Sequence, residues 1–238
     1  MKKPLIALSA RGTETGTRIY YDNESYFNYV SLGGGIPCLV KADNEEDAEQ
    51  IAEDMDALLI TGGEDVDPFL YDEENTFSIP IDADLDASDI YLYHAFRKAG
   101  KPVLGICRGI QVIAVAEGES LIQDIKKEDP SCMEHNQRNL DPPVANDVFV
   151  HHVSFVPGTK IAEIFGTVYG VNTFHHQALR SVPEGFTLAG KSTDGLIEAI
   201  ECPDVLGVQW HPERLYKDPK HLKLMQEFVR MASARKAG

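Results

Sequence analysis

Residues 103–118 read VLGICRGIQVIAVAEG, and no other stretch restricts the fold so much. Val103–Ile106 is apolar on both sides of any strand it forms, so both faces of that strand must be covered. A cysteine and an arginine interrupt the run, and the apolar residues then resume as a helix with Gln111 alone inside it. Gly105 and Gly109 make a tight strand-to-helix turn sterically possible around Cys107. A doubly buried strand feeding directly into a helix belongs in a parallel sheet with helices on each side.

The rest of the first half repeats that unit. Pro4–Ala10, Pro37–Val40 and Ala57–Thr61 are strand-like, the last ending at Gly62-Gly63. Helices are expected over Ser25–Leu32, from an Asp43/Glu46 capping box to about Met55, and over Asp86–Lys98. From about Asp147 the pattern changes to short strands, Val148–Val156, Phe186–Lys191, Leu196–Cys202 and Leu206–Trp210, punctuated by turns. These are expected to add antiparallel hairpins to the same sheet, and a last helix over Pro219–Ala234 to pack Leu222, Met225 and Phe228 on the body. The expected class is α/β: a doubly wound, mostly parallel, flavodoxin-like sheet flanked by helices, in one domain spanning 1–238.

Charge and cysteine usage narrow the function classes. With 38 acids against 22 bases and a formal charge of −16, the chain lacks the clustered cations that a nucleic acid requires. No apolar run is long enough to span a bilayer or serve as a signal peptide, so the expectation is a cytoplasmic protein with no membrane partner. The four cysteines are far apart without CxxC pairing and are expected to be free thiols, with Cys38 and Cys202 in the core. Cys132 and His135 have Cys-x-x-His spacing and His151-His152 follow, but no four-ligand pattern emerges, so no metal and no cofactor are expected. Strand alternation should send His151 and His152 to opposite faces.

Cys107, at the carboxyl end of a buried strand and the start of a helix, sits where α/β sheets place reactive groups and where a helix amino terminus favours the thiolate. A cysteine nucleophile needs a base oriented by a third group. The segment VLGVQWHPE offers both, His211 as base and Glu213 to fix its tautomer.

In that order and about a hundred residues apart, GICRGIQ and GVQWHPE resemble the two signatures of the class I glutamine amidotransferase family. LLITGGEDVDPFLY, VNTFHHQ and STDGLIEAIE resemble its γ-glutamyl-γ-aminobutyrate hydrolase branch, and the likeness runs from Pro4 to about Phe228. The resemblance implies a γ-glutamyl hydrolase in which Cys107 attacks, His211 is base then acid, and Glu213 orients it. It further implies an oxyanion hole from the backbone amides of Gly63 and Arg108, and substrate contacts from Gln111, His176 and Gln177. Gln111 is equally readable as a polar tie within the core, and His175 is expected to pack or cap. The expected substrate is a small γ-glutamyl amide, with polyamine catabolism as the setting. Two other readings stay open: a glutaminase subunit that feeds ammonia to a separate synthetase, and a non-catalytic γ-glutamyl-binding module. A homodimer is the base-rate expectation. Leu85 stands where many relatives carry arginine, and Glu119 where they carry a second glycine. The acidic tract over 64–86 lacks the spacing of a calcium loop and is expected as a solvated rim that favours cationic leaving groups.

Overall fold

A computed structural model describes residues 2–13 and 17–235. Its first half is a succession of strand and helix units: β1 (Leu5–Ser9), a small hairpin of β2 (Arg11–Gly12) and β3 (Tyr20–Tyr21), α1 (Glu24–Gly33), β4 (Ile36–Val40), α2 (Glu45–Asp54), β5 (Ala57–Ile60), α3 (Ala83–Lys98), β6 (Val103–Ile106) and α4 (Arg108–Ala116). The short pieces β7 (Leu121–Ile122) and α5 (Ile125–Glu128) lead to β8 (His151–Phe155), α6 (Lys160–Phe165), β9 (Val168–Val171) and β10 (Ala178–Leu179). The chain closes with β11 (Thr187–Ser192), β12 (Ile197–Cys202), β13 (Val205–Val208) and α7 (Pro219–Arg235).

One sheet of eleven strands runs through the described residues in the order β4-β1-β5-β6-β13-β12-β11-β8-β9, with β10 and β7 paired beside β12. From β4 to β13 every pairing is parallel, and from β13 to β9 every pairing is antiparallel. This is the expected α/β architecture. The apolar strands β5 and β6 are buried along their whole length, as coverage on both faces requires. One core lies under α1, α6 and α7 around Trp210, Phe165 and Phe228; the other lies under α2, α3 and α4 around Phe96, Ile110 and Ile113.

Several helix starts differ from expectation. The cap of α2 is Asn44, whose side chain accepts the Asp47 amide, rather than Asp43. Helix α3 begins three residues early because Asp82 caps it, accepting the Leu85 amide while paired with Arg18. Strand β9 escaped the sequence pattern, and Cys38 is only half buried because β4 is an edge strand. All four cysteines are free. No helix among the described residues is long and apolar enough to cross a membrane.

Candidate active site

The carboxyl ends of three neighbouring parallel strands, β5, β6 and β13, open onto one site. The register pairs Ile106 with Val208, and the Cys107 amide donates to the Val208 carbonyl at 2.9 Å. Residues 107 and 211, each just past the end of its strand, therefore lie side by side.

Cys107 has φ 54° and ψ −105°, outside the regions that L-residues ordinarily occupy. The elbow holds this shape because the helix packs against the sheet with no room to spare. A Cβ at Gly109 would lie 2.2 Å from the Ile60 carbonyl oxygen, and one at Gly105 would lie 2.6 Å from the Gly109 carbonyl. Both glycines are thus close-approach positions, as the tight turn demanded.

His211 is buried, and its Nδ1 lies 2.8 Å from Glu213 Oε1, which is itself fully buried. With Nδ1 turned to the carboxylate, Nε2 is the nitrogen left for a thiol, and Cys107 stands beside the ring, both facing Gly62. Burial alone would pull the imidazole down, but the charges of Glu213 and Cys107 and hydrogen bonds with both outweigh it, and the His211 pKa is pushed up to about 9. Pro212 opens a single 3-10 turn, Pro212–Arg214, that places Glu213 two residues beyond the histidine yet on its ring.

Two further residues hold His211, one by its backbone and one beside its ring, and nothing in the local sequence marked them. Asn172, fully buried just after β9, accepts the His211 amide at 2.8 Å and donates to the His211 carbonyl at 2.9 Å. Tyr26 on α1 accepts the Gly62 amide at 2.9 Å, with its oxygen 3.4 Å from His211 Nδ1. Both contacts join segments far apart in the chain, which no linear pattern can display.

Gly62 and Gly63 follow β5 and lie against the same residues. A Cβ at Gly62 would lie 2.9 Å from His211 Cε1 and 3.5 Å from Cys107 Cβ; one at Gly63 would lie 2.9 Å from Arg108 Cδ. The Arg108 side chain turns away from the thiol into a buried clamp, 2.5 Å from Asp86 and also paired with Asp89. Leu85, next in sequence to Asp86, is buried.

The other expected substrate contacts are brought near but are already engaged. Gln111, one turn beyond Cys107, reaches Gln209 at 3.3 Å and the Gln177 carbonyl at 3.4 Å, the polar tie that was one of its two readings. The Gln177 amide donates to Ser78 at 2.8 Å, while its Oε1 is buried with no partner among the described residues. His176 is half exposed and ion-paired with Asp65 at 2.9 Å, whose hydrogen bond raises its pKa. The acidic tract borders the site; Glu64, Asp65, Asp82 and Asp86 are ion-paired with Arg11, His176, Arg18 and Arg108, while Asp72 and Glu74 are exposed to solvent.

On β2, Arg11 pairs with Glu64 at 2.9 Å, and its Nε is buried with no partner among the described residues. Asp22 lies close by, and burial pushes its carboxyl up to about 7. A cation and two acids thus stand together on the wall next to Gly63.

Farther along the sheet, His151 is buried and His152 exposed on β8, as alternation required. His135, His151 and His175 surround the buried Glu198, and burial pulls all three imidazoles down, His175 to about 4. His175 does cap locally, through Nδ1 and the Gln177 carbonyl at 2.8 Å.

Comparison with known proteins agrees with this architecture. The family model of Peptidase C26 matches residues 4–213. A Mycobacterium tuberculosis protein named provisionally as a glutamine amidotransferase is 34% identical, the match covering 97% of this chain and 75% of that one. The γ-glutamyl-γ-aminobutyrate hydrolase of Escherichia coli O157:H7 is 30% identical over 90% of this chain and 87% of its own. The crystal structure of a Thermotoga maritima glutamine amidotransferase superposes with a TM-score of 0.62 at 16% identity, covering 99% of this chain and 98% of that one, and so shares the fold. With its sheet, its buried strand-to-helix elbow and a family match over nearly all its length, the chain belongs to the Peptidase C26 family of class I glutamine amidotransferase-like hydrolases.

Proposed function

We propose that the protein is a cysteine hydrolase that cleaves the γ-amide of a small γ-glutamyl compound, such as γ-glutamyl-γ-aminobutyrate, with Cys107, His211 and Glu213 as its triad. The observation that carries the reading is the line of contacts from the Cys107 thiol through the His211 ring to the buried Glu213 carboxylate. The thiolate adds to the γ-carbonyl carbon, and the oxyanion is met by the amides of Gly63 and Arg108. As the C–N bond breaks, His211 gives its proton to the departing amine and a γ-glutamyl thioester remains. His211 then takes a proton from water, the hydroxide adds to the thioester, and glutamate leaves as the thiol is restored.

The substrate class is supported by the wall beside Gly63. A γ-glutamyl head carries an α-carboxylate and an α-ammonium, and Arg11 stands beside Glu64 and Asp22 to meet one of each sign. Relatives named as glutamine amidotransferases favour a second reading, glutaminase action for a synthetase partner. One panel separates the two: γ-glutamyl-γ-aminobutyrate, other γ-glutamyl amides and glutamine, each scored for released glutamate with wild type and Cys107→Ala. The hydrolase reading requires turnover of γ-glutamyl amides by the chain alone and its loss in Cys107→Ala. Full activity in Cys107→Ala would refute the nucleophile, and turnover of glutamine only in the presence of a partner would favour the second reading.

A further inference from the structure

We infer that the chain carries a buried divalent-metal site, separate from the thiol site, formed by His135, His151, His175 and Glu198. These residues come from four segments: the loop after α5, the start of β8, the turn after β9, and β12. Glu198 Oε1 is 3.6 Å from His135 Nδ1, 3.7 Å from His151 Nε2 and 3.6 Å from His175 Nε2. Donor atoms of His135, His175 and Glu198 all lie within 4.8 Å of one another.

The hydrogen bonds around the cluster fix which nitrogens carry protons. His135 Nε2 lies 3.0 Å from the Asp194 carboxylate, so it is the N–H and Nδ1 holds the lone pair. His175 Nδ1 lies 2.8 Å from the Gln177 carbonyl, which can only accept, so Nε2 holds the lone pair. His151 Nδ1 faces the His152 carbonyl at 3.4 Å, which leaves its Nε2 lone pair inward as well. Three lone pairs therefore converge on a carboxylate oxygen, itself an acceptor. None of these three nitrogens and neither Glu198 oxygen has a hydrogen-bond partner among the described residues, although all four residues are buried.

Acceptors facing acceptors repel unless a positive charge lies among them. A protonated Glu198 has one O–H, enough for one of the three nitrogens. An imidazolium–carboxylate pair would contract to about 2.7–2.9 Å. Ligands at about 2.0–2.1 Å from a tetrahedral ion stand about 3.4 Å apart, close to the spacings of 3.6, 3.7 and 3.6 Å between Glu198 Oε1 and the three nitrogens. The outer contacts also follow the pattern of metal-bound histidines, each of which passes its remaining N–H to a carboxylate or backbone carbonyl. Asp194 is held for that purpose by the Ser192 hydroxyl at 2.5 Å and the Met133 amide at 3.0 Å.

Three imidazoles and one carboxylate suit Zn²⁺ first and other imidazole-binding first-row ions after it, and they do not suit Ca²⁺ or Mg²⁺. His135, His175 and Glu198 are grouped closely enough to hold the ion, and His151 Nε2, 3.7 Å from Glu198, makes up four protein ligands when it is drawn in, so the ion is structural. Its place explains its use: His175 directly precedes His176 and Gln177, which hold Asp65 and Ser78 of the acidic tract beside the thiol. The local spacing of Cys132 and His135 concealed the site because its ligands are dispersed over 64 positions.

The test is the metal content of the untagged full-length protein, read by mass spectrometry as isolated and after incubation with zinc and gel filtration. The expected result is about one zinc per chain in wild type and in Cys107→Ala, and far less in Glu198→Gln and His175→Gln. Chelation should lower Tm and equimolar zinc restore it, and cobalt in the wild-type chain should give the intense visible bands of a tetrahedral site. Wild-type protein holding less than about a tenth of an equivalent under both conditions would overturn the inference. So would zinc that disappears in Cys107→Ala and persists in Glu198→Gln, which would place it at the thiol. Should the Glu198 and His175 variants fail to fold, wild-type stoichiometry and the cobalt spectrum decide.

Discussion

Replacing Cys107 by glycine should make the protein more stable than replacing it by alanine, although neither variant turns over substrate. Both changes remove the sulfur, so the comparison isolates the backbone. At φ 54° and ψ −105° the alanine variant keeps a Cβ in a conformation close to forbidden, which costs about 2–3 kcal/mol, the upper part of the range for such outliers. Glycine releases that strain but gives the unfolded chain extra freedom worth about 0.5–1 kcal/mol. The difference is about 1–2.5 kcal/mol in favour of glycine, or roughly 2–10 °C in Tm for a domain of this size. Urea titration and thermal unfolding of the two variants, monitored by the fluorescence of the fully buried Trp210, measure it directly. Equal stability, or greater stability of Cys107→Ala, would show that the elbow is relaxed and that the close packing of Gly105 and Gly109 does not hold the nucleophile under strain.

Two further outcomes follow from the site. Glu213→Gln removes the largest influence raising the His211 pKa, so the imidazolium present up to about pH 9 in wild type is lost at lower pH. The alkaline limb of the pH–rate profile should move to lower pH while kcat falls roughly 10²-fold or more, and an unmoved limb would remove Glu213 from the mechanism. Gly63→Ala places a Cβ 2.9 Å from Arg108 Cδ, and Arg108 cannot yield because Asp86 and Asp89 clamp it. The loop must shift instead, displacing the proposed oxyanion donor; kcat should fall about 10²-fold with little change in KM, and a normal kcat would assign the donor elsewhere.

What was legible in the sequence followed from interactions among near neighbours. Strand β6, the elbow and α4 are continuous in the chain, and Gly105 and Gly109 flank the cysteine they position, so the unit could be read whole. His211 and Glu213 are two residues apart, and their pairing needed only a short turn. The start of α3 was harder, because Asp82, Asp84 and Asp86 all suit a cap and the choice is made by Arg18 from another part of the chain. Strands β7 and β10 have two residues each, too few to show a period. Asn172, Tyr26 and the cluster around Glu198 act across long separations, where spacing carries no signal.

The place of β13 in the sheet has a consequence for how the protein is made. This strand enters beside β6 from about a hundred residues downstream, and closing so large a loop is slow compared with assembling the preceding strand–helix repeats. The thiol elbow can form on the emerging chain well before the imidazole that would rouse it has left the ribosome. On the proposed mechanism a half-synthesised molecule therefore lacks its base and is chemically quiet, and hydrolytic power arrives only when the last parallel strand slots home.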